Sequence, residues 1–225
     1  MHFKTLAAAG ATIALAVGTA ACGSDDSSTT STTSKSTTAQ AAPSPVAQIP
    51  ALTGKDTAVT LDSGFVEALG SLKLTPAPVG TAEISKTGVA SFPITGGNVT
   101  YYEPGTVSPF VQGEIDHDGS GLSLTGGGKK VSLTDFVVDP GTSTLTGKVS
   151  VDGKTAAENA PLFFLDGRTL DPLEVNKSNG TAVLEGTTVK LKQEAADLLN
   201  QTFEVDALKA GLVIGVAKIT VNTAA

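Results

Sequence analysis

The chain has 225 residues, of which 40% are hydrophobic, 16% charged and 4% aromatic, and its formal net charge is −7. This composition is that of a folded protein, which excludes disorder throughout the chain. The acidic balance, with no cluster of Lys or Arg that could neutralise phosphates, argues against a nucleic-acid partner. The 25 glycines and 11 prolines predict many turns, as an all-β fold requires.

The first 21 residues have the pattern of a secretory signal. A short basic start at His2 and Lys4 precedes an apolar run, residues 6–17, that is too short to span a bilayer stably. We therefore predict that residues 1–21 are a signal peptide.

Small residues lead from this segment directly into Cys22, the only cysteine. The sequence Thr19-Ala20-Ala21-Cys22 resembles the lipobox of bacterial lipoproteins, with Thr19 at a position where Leu is commonest. The resemblance implies that the signal is cut before Cys22, which is acylated on sulfur and anchors the protein to the extracytoplasmic face of the cell membrane. A lone cysteine cannot form an internal disulfide, which favours a modified one. The alternative is an ordinary signal peptidase site beside an unmodified cysteine.

Residues 22–48 are predicted to form a disordered tether after the lipidated cysteine. Val46 is the only large apolar side chain after Cys22 in this segment, which is rich in Ser, Thr and Pro. Such a segment cannot bury enough apolar surface to offset the entropy lost on ordering. This leaves residues 49–225 for a single β-rich domain.

The first part of the domain is predicted to consist of short strands around one helical segment. The spacing of Phe65 and Leu69 places both on one side of a helical segment over residues 63–69. Strands are predicted at residues 57–61, 72–74, 81–84, 89–94 and 99–102.

Residues 109–153 are predicted to form a meander of four antiparallel strands. Apolar and polar residues alternate along each of four runs, which indicates that one face of the sheet is buried and the other is wet. The predicted turns are Asp118-Gly119, residues 126–128 and residues 139–141.

The remaining elements complete an all-β fold with one convincing helix. Residues 161–165 (PLFFL) are predicted to form a strand buried on both faces, and residues 181–191 a strand with a bulge at Gly186. The helix is predicted over residues 192–203 and the last strand over residues 212–221. We expect an antiparallel β-sandwich or partly open barrel.

His117, the only histidine outside the signal segment, is the first candidate site residue. Between Asp116 and Asp118 and beside a predicted turn, it is most simply solvent-exposed and without a role. The alternative is a ligand, or a hydrogen-bond partner of one, which requires a second group nearby. The start of a calcium loop is also suggested by Asp116, Asp118 and Gly119, but the later acidic positions of that motif are missing.

Motifs of catalysis are missing from the sequence. The glycines at 126–128 lack the lysine spacing and the following helix of a phosphate loop. There is no G-x-S-x-G, and one histidine cannot supply a metal cluster. We therefore predict that the domain is not an enzyme, although a hydrolase whose carboxylates meet only in the fold stays an alternative.

Tyr101 and Tyr102 are the only tyrosines. Alternation along a strand would place one ring in the core and the other outward. A tyrosine beside a pocket could bind a planar ligand or an iron atom.

Two motifs of the central region resemble a known family. They are Gly113-x-Ile115-x-His117-x-Gly119-x-Gly121-Leu122 and Thr144-Leu145-Thr146-Gly147-x-Val149. They resemble the HtaA-type domain of actinobacterial haem-uptake surface proteins. The similarity covers most of residues 61–203.

The resemblance implies a haem site of which only part is present. In that family a tyrosine in the early helical segment holds the haem iron, and a histidine forms a hydrogen bond with that tyrosine. His117 occupies the position of that histidine, whereas the position of the tyrosine corresponds to Ala68, which cannot ligate iron. Haem binding of the family type would therefore need Tyr101 or Tyr102 to reach the site from another strand.

Together these features predict a lipid-anchored binding protein of the cell envelope. Its ligand would be a hydrophobic or planar molecule, with haem or porphyrin as the specific candidate. The alternative is a structural or adhesive envelope module that binds a protein or the cell wall and no small ligand.

Overall fold

The computed structural model describes residues 42–223. The predicted signal peptide, Cys22 and most of the predicted tether lie outside the described residues. Within them, thirteen strands form one antiparallel sheet, accompanied by two α-helices, which confirms the all-β fold. Neither helix is long and apolar enough to cross a membrane.

The elements follow one another along the chain in this order: β1 (Ala47–Ile49), β2 (Asp56–Leu61), α1 (Ser63–Ser71), β3 (Thr75–Gly80), β4 (Glu83–Ile84), β5 (Val89–Pro93), β6 (Gly96–Tyr101), β7 (Val111–Gly126), β8 (Lys129–Asp139), β9 (Thr144–Val151), β10 (Lys154–Asp166), a 3-10 turn (Gly167–Thr169), β11 (Glu174–Asn176), β12 (Thr181–Leu191), α2 (Gln193–Phe203) and β13 (Val213–Asn222).

The sheet is curled into a half-barrel. Its strand order is β1-β6-β7-β8-β9-β10-β12-β13-β2-β5-β4, and β3 and β11 add to β7 and β12. Although β5 and β8 are far apart in this order, the rings of Phe92 and Phe136 meet edge to face, with 5.4 Å between their centroids. The apolar side chains of the concave face therefore surround a common interior.

The longest strand, β7, replaces two strands of the predicted meander. Asp118-Gly119 is not a hairpin turn but a bulge: His117 lies opposite Phe136, and Gly121 lies opposite Thr134. The four-strand meander was therefore wrong, and β7, β8 and β9 cover the region. The physical reason is that β3 pairs with the second half of β7, so the chain continues in the sheet after the bulge.

The predicted burial of residues 161–165 was wrong for one residue. Leu162, Phe163 and Leu165 are buried, whereas the side chain of Phe164 is 43% exposed. Adjacent residues of a strand point to opposite faces, and the face that carries Phe164 is open to solvent here. The continuous apolar run does not by itself mean that both faces are covered.

Both helical predictions are confirmed. In α1 the Asp62 side chain caps the first turn by accepting hydrogen bonds from the backbone N–H groups of Gly64 and Phe65, and Phe65 and Leu69 are buried. The second helix lies against β8 and β10. At the other end of the domain, β1 begins two residues before the predicted boundary at residue 49, because Ala47 and Gln48 pair with β6.

The bulge in β7 generates a prediction about Gly119. This residue has φ of +68°, and a Cβ added to it would meet no atom within 4 Å, so Gly119→Ala changes only the backbone preference. We expect a loss of about 1 kcal/mol in the free energy of unfolding, measured by urea denaturation, because a left-handed conformation disfavours alanine. Gly167→Ala is the matched control, since that site is equally open and is not left-handed. Equal losses in the two variants would contradict the prediction.

Candidate functional site

The interior of the half-barrel contains a cavity of about 460 Å³. This volume lies in the range of small-molecule binding sites in proteins. The walls are mostly apolar and are contributed by strands from both halves of the sheet, including Val59, Ile115, Val138, Leu165 and Val189. The cavity exists because the side chains of the concave face do not fill the space that the curled sheet encloses.

Aromatic rings form one wall of the cavity. The ring of Phe136 contacts Phe92 and Phe163 edge to face, with centroid separations of 5.4 and 6.5 Å. All three residues line the cavity. Aromatic pairs favour this edge-to-face arrangement, so the three rings form a continuous wall.

His117 lies in the lining of this cavity and is 2% exposed. The expectation that it is solvent-exposed was wrong. Because His117 precedes the bulge, it alternates with Asp116 and shares the inward face of β7 with Ile115, which is also buried. The flanking acidic residues that suggested exposure face the other way: Asp118 is exposed and Asp116 half-buried.

Both ring nitrogens of His117 have hydrogen-bond partners. Nδ1 lies 3.3 Å from the backbone oxygen of Phe136, and Nε2 lies 2.8 Å from Oγ1 of Thr57. A carbonyl oxygen can only accept, so Nδ1 carries the proton and donates it. Nε2 of the neutral ring then has a lone pair, which accepts the hydroxyl proton of Thr57.

Burial keeps His117 neutral. It lowers the pKa of the imidazole from 6.5 to about 4, although the carbonyls of Phe136 and Ile115 and the charge of Asp118 act in the opposite direction. Loss of hydration disfavours the charged form of a buried base. The site therefore presents a neutral imidazole at ordinary pH.

Tyr101 is the last residue of β6 and Tyr102 follows it, and the two side chains lie on different sides of the chain. Tyr101 is 7% exposed, lines the cavity, and its ring meets Phe110 edge to face at 5.8 Å. Tyr102 is half-buried and is not part of the lining. Tyr101 is thus the one tyrosine that borders the same space as His117.

The structure does not bring Tyr101 and His117 together. Tyr101 pairs with Val111 at the start of β7, and His117 lies six residues further along the same strand. At about 3.3 Å per residue their backbones are separated by about 20 Å along the sheet. The two side chains therefore border distant parts of the cavity.

A haem group would fit this cavity only in part. The apolar walls suit a porphyrin ring, but the tyrosine–histidine pair that holds iron in the resembling family is not assembled. Ala68 lies on α1 and outside the cavity lining, and Tyr101 is too far from His117. Within residues 42–223, no group of three His, Cys, Asp or Glu residues could hold a metal ion.

Two features of the site escaped the sequence analysis. Thr57 comes from β2, sixty residues before His117, and nothing in its local sequence distinguishes it from other strand threonines. At the end of β10, the buried carboxylate of Asp166 accepts hydrogen bonds from Arg168 and Lys190, at 2.7 and 2.8 Å. These bonds hold the pKa of Asp166 well below its usual value.

The buried histidine predicts a specific pH dependence of stability. Between pH 6.5 and about 4 the unfolded chain binds a proton at His117 that the folded chain does not. The free energy of unfolding should therefore fall by up to about 3 kcal/mol as the pH drops through this window, and then level off with respect to this group. Urea denaturation at pH 7 and pH 4.5 measures the change.

His117→Gln is the control for this measurement. The substitution removes the imidazole and leaves the acidic residues in place. One of these is Asp116, whose pKa is raised by burial and by the charge of Asp118. We expect the variant to lose the His117 contribution to the pH dependence. A variant as pH-sensitive as the unchanged protein would show that His117 is not the group responsible.

Comparison with solved structures places the fold. The domain is similar to the crystal structure of the C-terminal domain of HtaA from Corynebacterium glutamicum, with 14% sequence identity, a TM-score of 0.53, and coverage of 76% of this chain and 98% of that one. A domain-swapped dimeric variant of the same domain aligns at 15% identity over 72% of this chain and 91% of that one, with a TM-score of 0.44. No protein-family model matches the chain, and no curated protein matches it. The described residues therefore have an HtaA-like fold.

Proposed function

We propose that the β-rich domain binds an apolar, planar small molecule in its interior cavity, with haem or a related porphyrin as the candidate ligand. The observation that carries this proposal is the cavity of about 460 Å³ with mostly apolar walls. Such a site removes a ligand's apolar surface from water, which is the main favourable term in binding it. The HtaA-like fold and the motifs around His117 support the choice of ligand class.

The aromatic wall explains why a flat molecule suits the site. The edge-to-face cluster of Phe92, Phe136 and Phe163 borders the cavity and offers ring edges and faces for contact. Few polar side chains line the cavity, among them His117 and Thr57, so most of the contact with a ligand would be apolar. The function we propose is binding without chemical turnover.

Titration with haemin tests this function. We expect a shift of the Soret band that saturates at one haemin per chain. Ala217→Leu should weaken the affinity at least about tenfold, because Ala217 lines the cavity and the larger side chain occupies ligand space. The neighbouring Val216→Leu is the matched control, since Val216 lies on the opposite, exposed face of β13.

The outcomes separate the candidate functions. No spectral shift in the unchanged protein, or equal affinities in a folded Ala217→Leu variant and the control, would remove the small-ligand function. If haemin does not bind and the domain captures an envelope protein or cell-wall material, the structural or adhesive module is favoured instead.

We also propose that the domain is held at the extracytoplasmic face of the cell membrane by acylated Cys22. The support is the apolar segment at 6–17, the small residues before the cysteine and the Ser/Thr-rich segment that follows it. Two or more acyl chains give a stable membrane anchor, whereas one gives only reversible binding. The tether would allow the domain to reach ligands beyond the membrane surface.

Metabolic labelling with a fatty-acid analogue tests the anchor. In a bacterium that processes lipoproteins, the unchanged chain should be labelled and should sediment with membranes. Cys22→Ser should lose the label, and Ser24→Ala, two residues away, should keep it. An unlabelled mature chain with an intact first segment would contradict the proposal.

A further inference from the structure

We propose that Thr57 withholds the Nε2 lone pair of His117 from the ligand, so that the cavity selects its ligand by apolar surface and not by a metal at its centre. This inference rests on the proposed function and specifies it. It concerns a residue, Thr57, for which neither motif nor spacing suggested a role.

The hydrogen bonds of His117 determine which ring nitrogen carries the proton. The backbone oxygen of Phe136 requires a donor, so the proton of the neutral imidazole lies on Nδ1. Nε2 is then the only atom of the ring that could coordinate a metal. The hydroxyl of Thr57 donates to that atom over 2.8 Å.

His117 and Thr57 are both buried, and Thr57 is held within the sheet. Thr57 is 6% exposed and His117 is 2% exposed, so water cannot readily replace either partner. The backbone of Thr57 lies between Phe92 of β5 and Ile219 of β13 in the sheet. A metal that took the Nε2 lone pair would leave the Thr57 hydroxyl without a partner in apolar surroundings, which is unfavourable.

The described part of the structure supplies no tyrosine that could hold iron beside His117. Tyr101 lies about 20 Å from His117 along β7, by the strand rise, and so cannot complete an iron site with it. Position 68 on α1 is an alanine. No tyrosine of the described residues therefore completes an iron site with His117.

Haemin and metal-free protoporphyrin IX are the two probes, because they differ by the iron. For the unchanged protein we expect dissociation constants within about threefold of each other. Thr57→Val keeps the shape of the side chain and removes the hydroxyl. In this variant the affinity for haemin should rise about tenfold relative to the affinity for protoporphyrin, and bound haemin should show a Soret band typical of nitrogen ligation. Thr57→Ser keeps a hydroxyl and should retain the ratio of the unchanged protein. Adding His117→Gln to Thr57→Val should restore that ratio.

A measurement without ligand checks the same arrangement. The ¹⁵N resonances of His117 should report a neutral ring protonated on Nδ1, and Thr57→Val should move the Nε2 resonance downfield as its hydrogen bond is lost. Thr57→Ser keeps the hydroxyl, so its Nε2 resonance should stay close to that of the unchanged protein. This second variant can be measured even if Thr57→Val does not fold. A ring protonated on Nε2 would overturn the inference.

The remaining outcomes are also decisive. If the unchanged protein prefers haemin by more than about tenfold and Tyr101→Phe or His117→Gln removes that preference, the cavity does recognise the metal and the inference is overturned. An unchanged haemin-to-protoporphyrin ratio in a folded Thr57→Val variant would likewise overturn it. If neither porphyrin binds the unchanged protein, the proposed function itself falls, and this inference falls with it.

Discussion

The pairing of β7 with a different neighbour on each side of its bulge is the constraint on which the rest of the structure depends. Its first half pairs with β6 and its second half with β3, while β8 follows it along the other edge. A bulge increases local twist and redirects side chains. Here it lies between Ile115 and His117 on one side and Leu122 and Leu124 on the other, and all four side chains are buried.

The domain combines a packed core with a partly empty interior. The helices contribute Phe65, Leu69 and Leu199 to a contiguous apolar cluster that also includes Val131. Burial of these residues supplies the favourable free energy that an open interior does not, since cavity walls lose contacts that a filled core would have. The packed residues thus stabilise a sheet that also encloses space for a ligand.

The fold and the ligand set of the site are separable properties. The chain has the HtaA-like fold, yet its α1 carries Ala68 where the resembling family has a tyrosine, and the imidazole of His117 is engaged by Thr57. Side chains of a site can change while the sheet that presents them is retained. The apolar cavity, and not a set of iron ligands, is therefore the property of the site on which our proposal depends.

Local patterns in the sequence were sufficient for the elements whose contacts are local. The alternation in residues 109–153 predicted one buried face, and its apolar residues Val131, Leu133 and Val149 are buried. The spacing of Phe65 and Leu69 identified the buried face of α1, because such patterns follow from the geometry of a single element. The tertiary structure alone decided that Asp118-Gly119 is a bulge, that His117 is buried, that Phe164 is exposed, and that Thr57 meets His117. Each of these depends on which distant strand or helix lies alongside, and neighbours in the sequence do not carry that information.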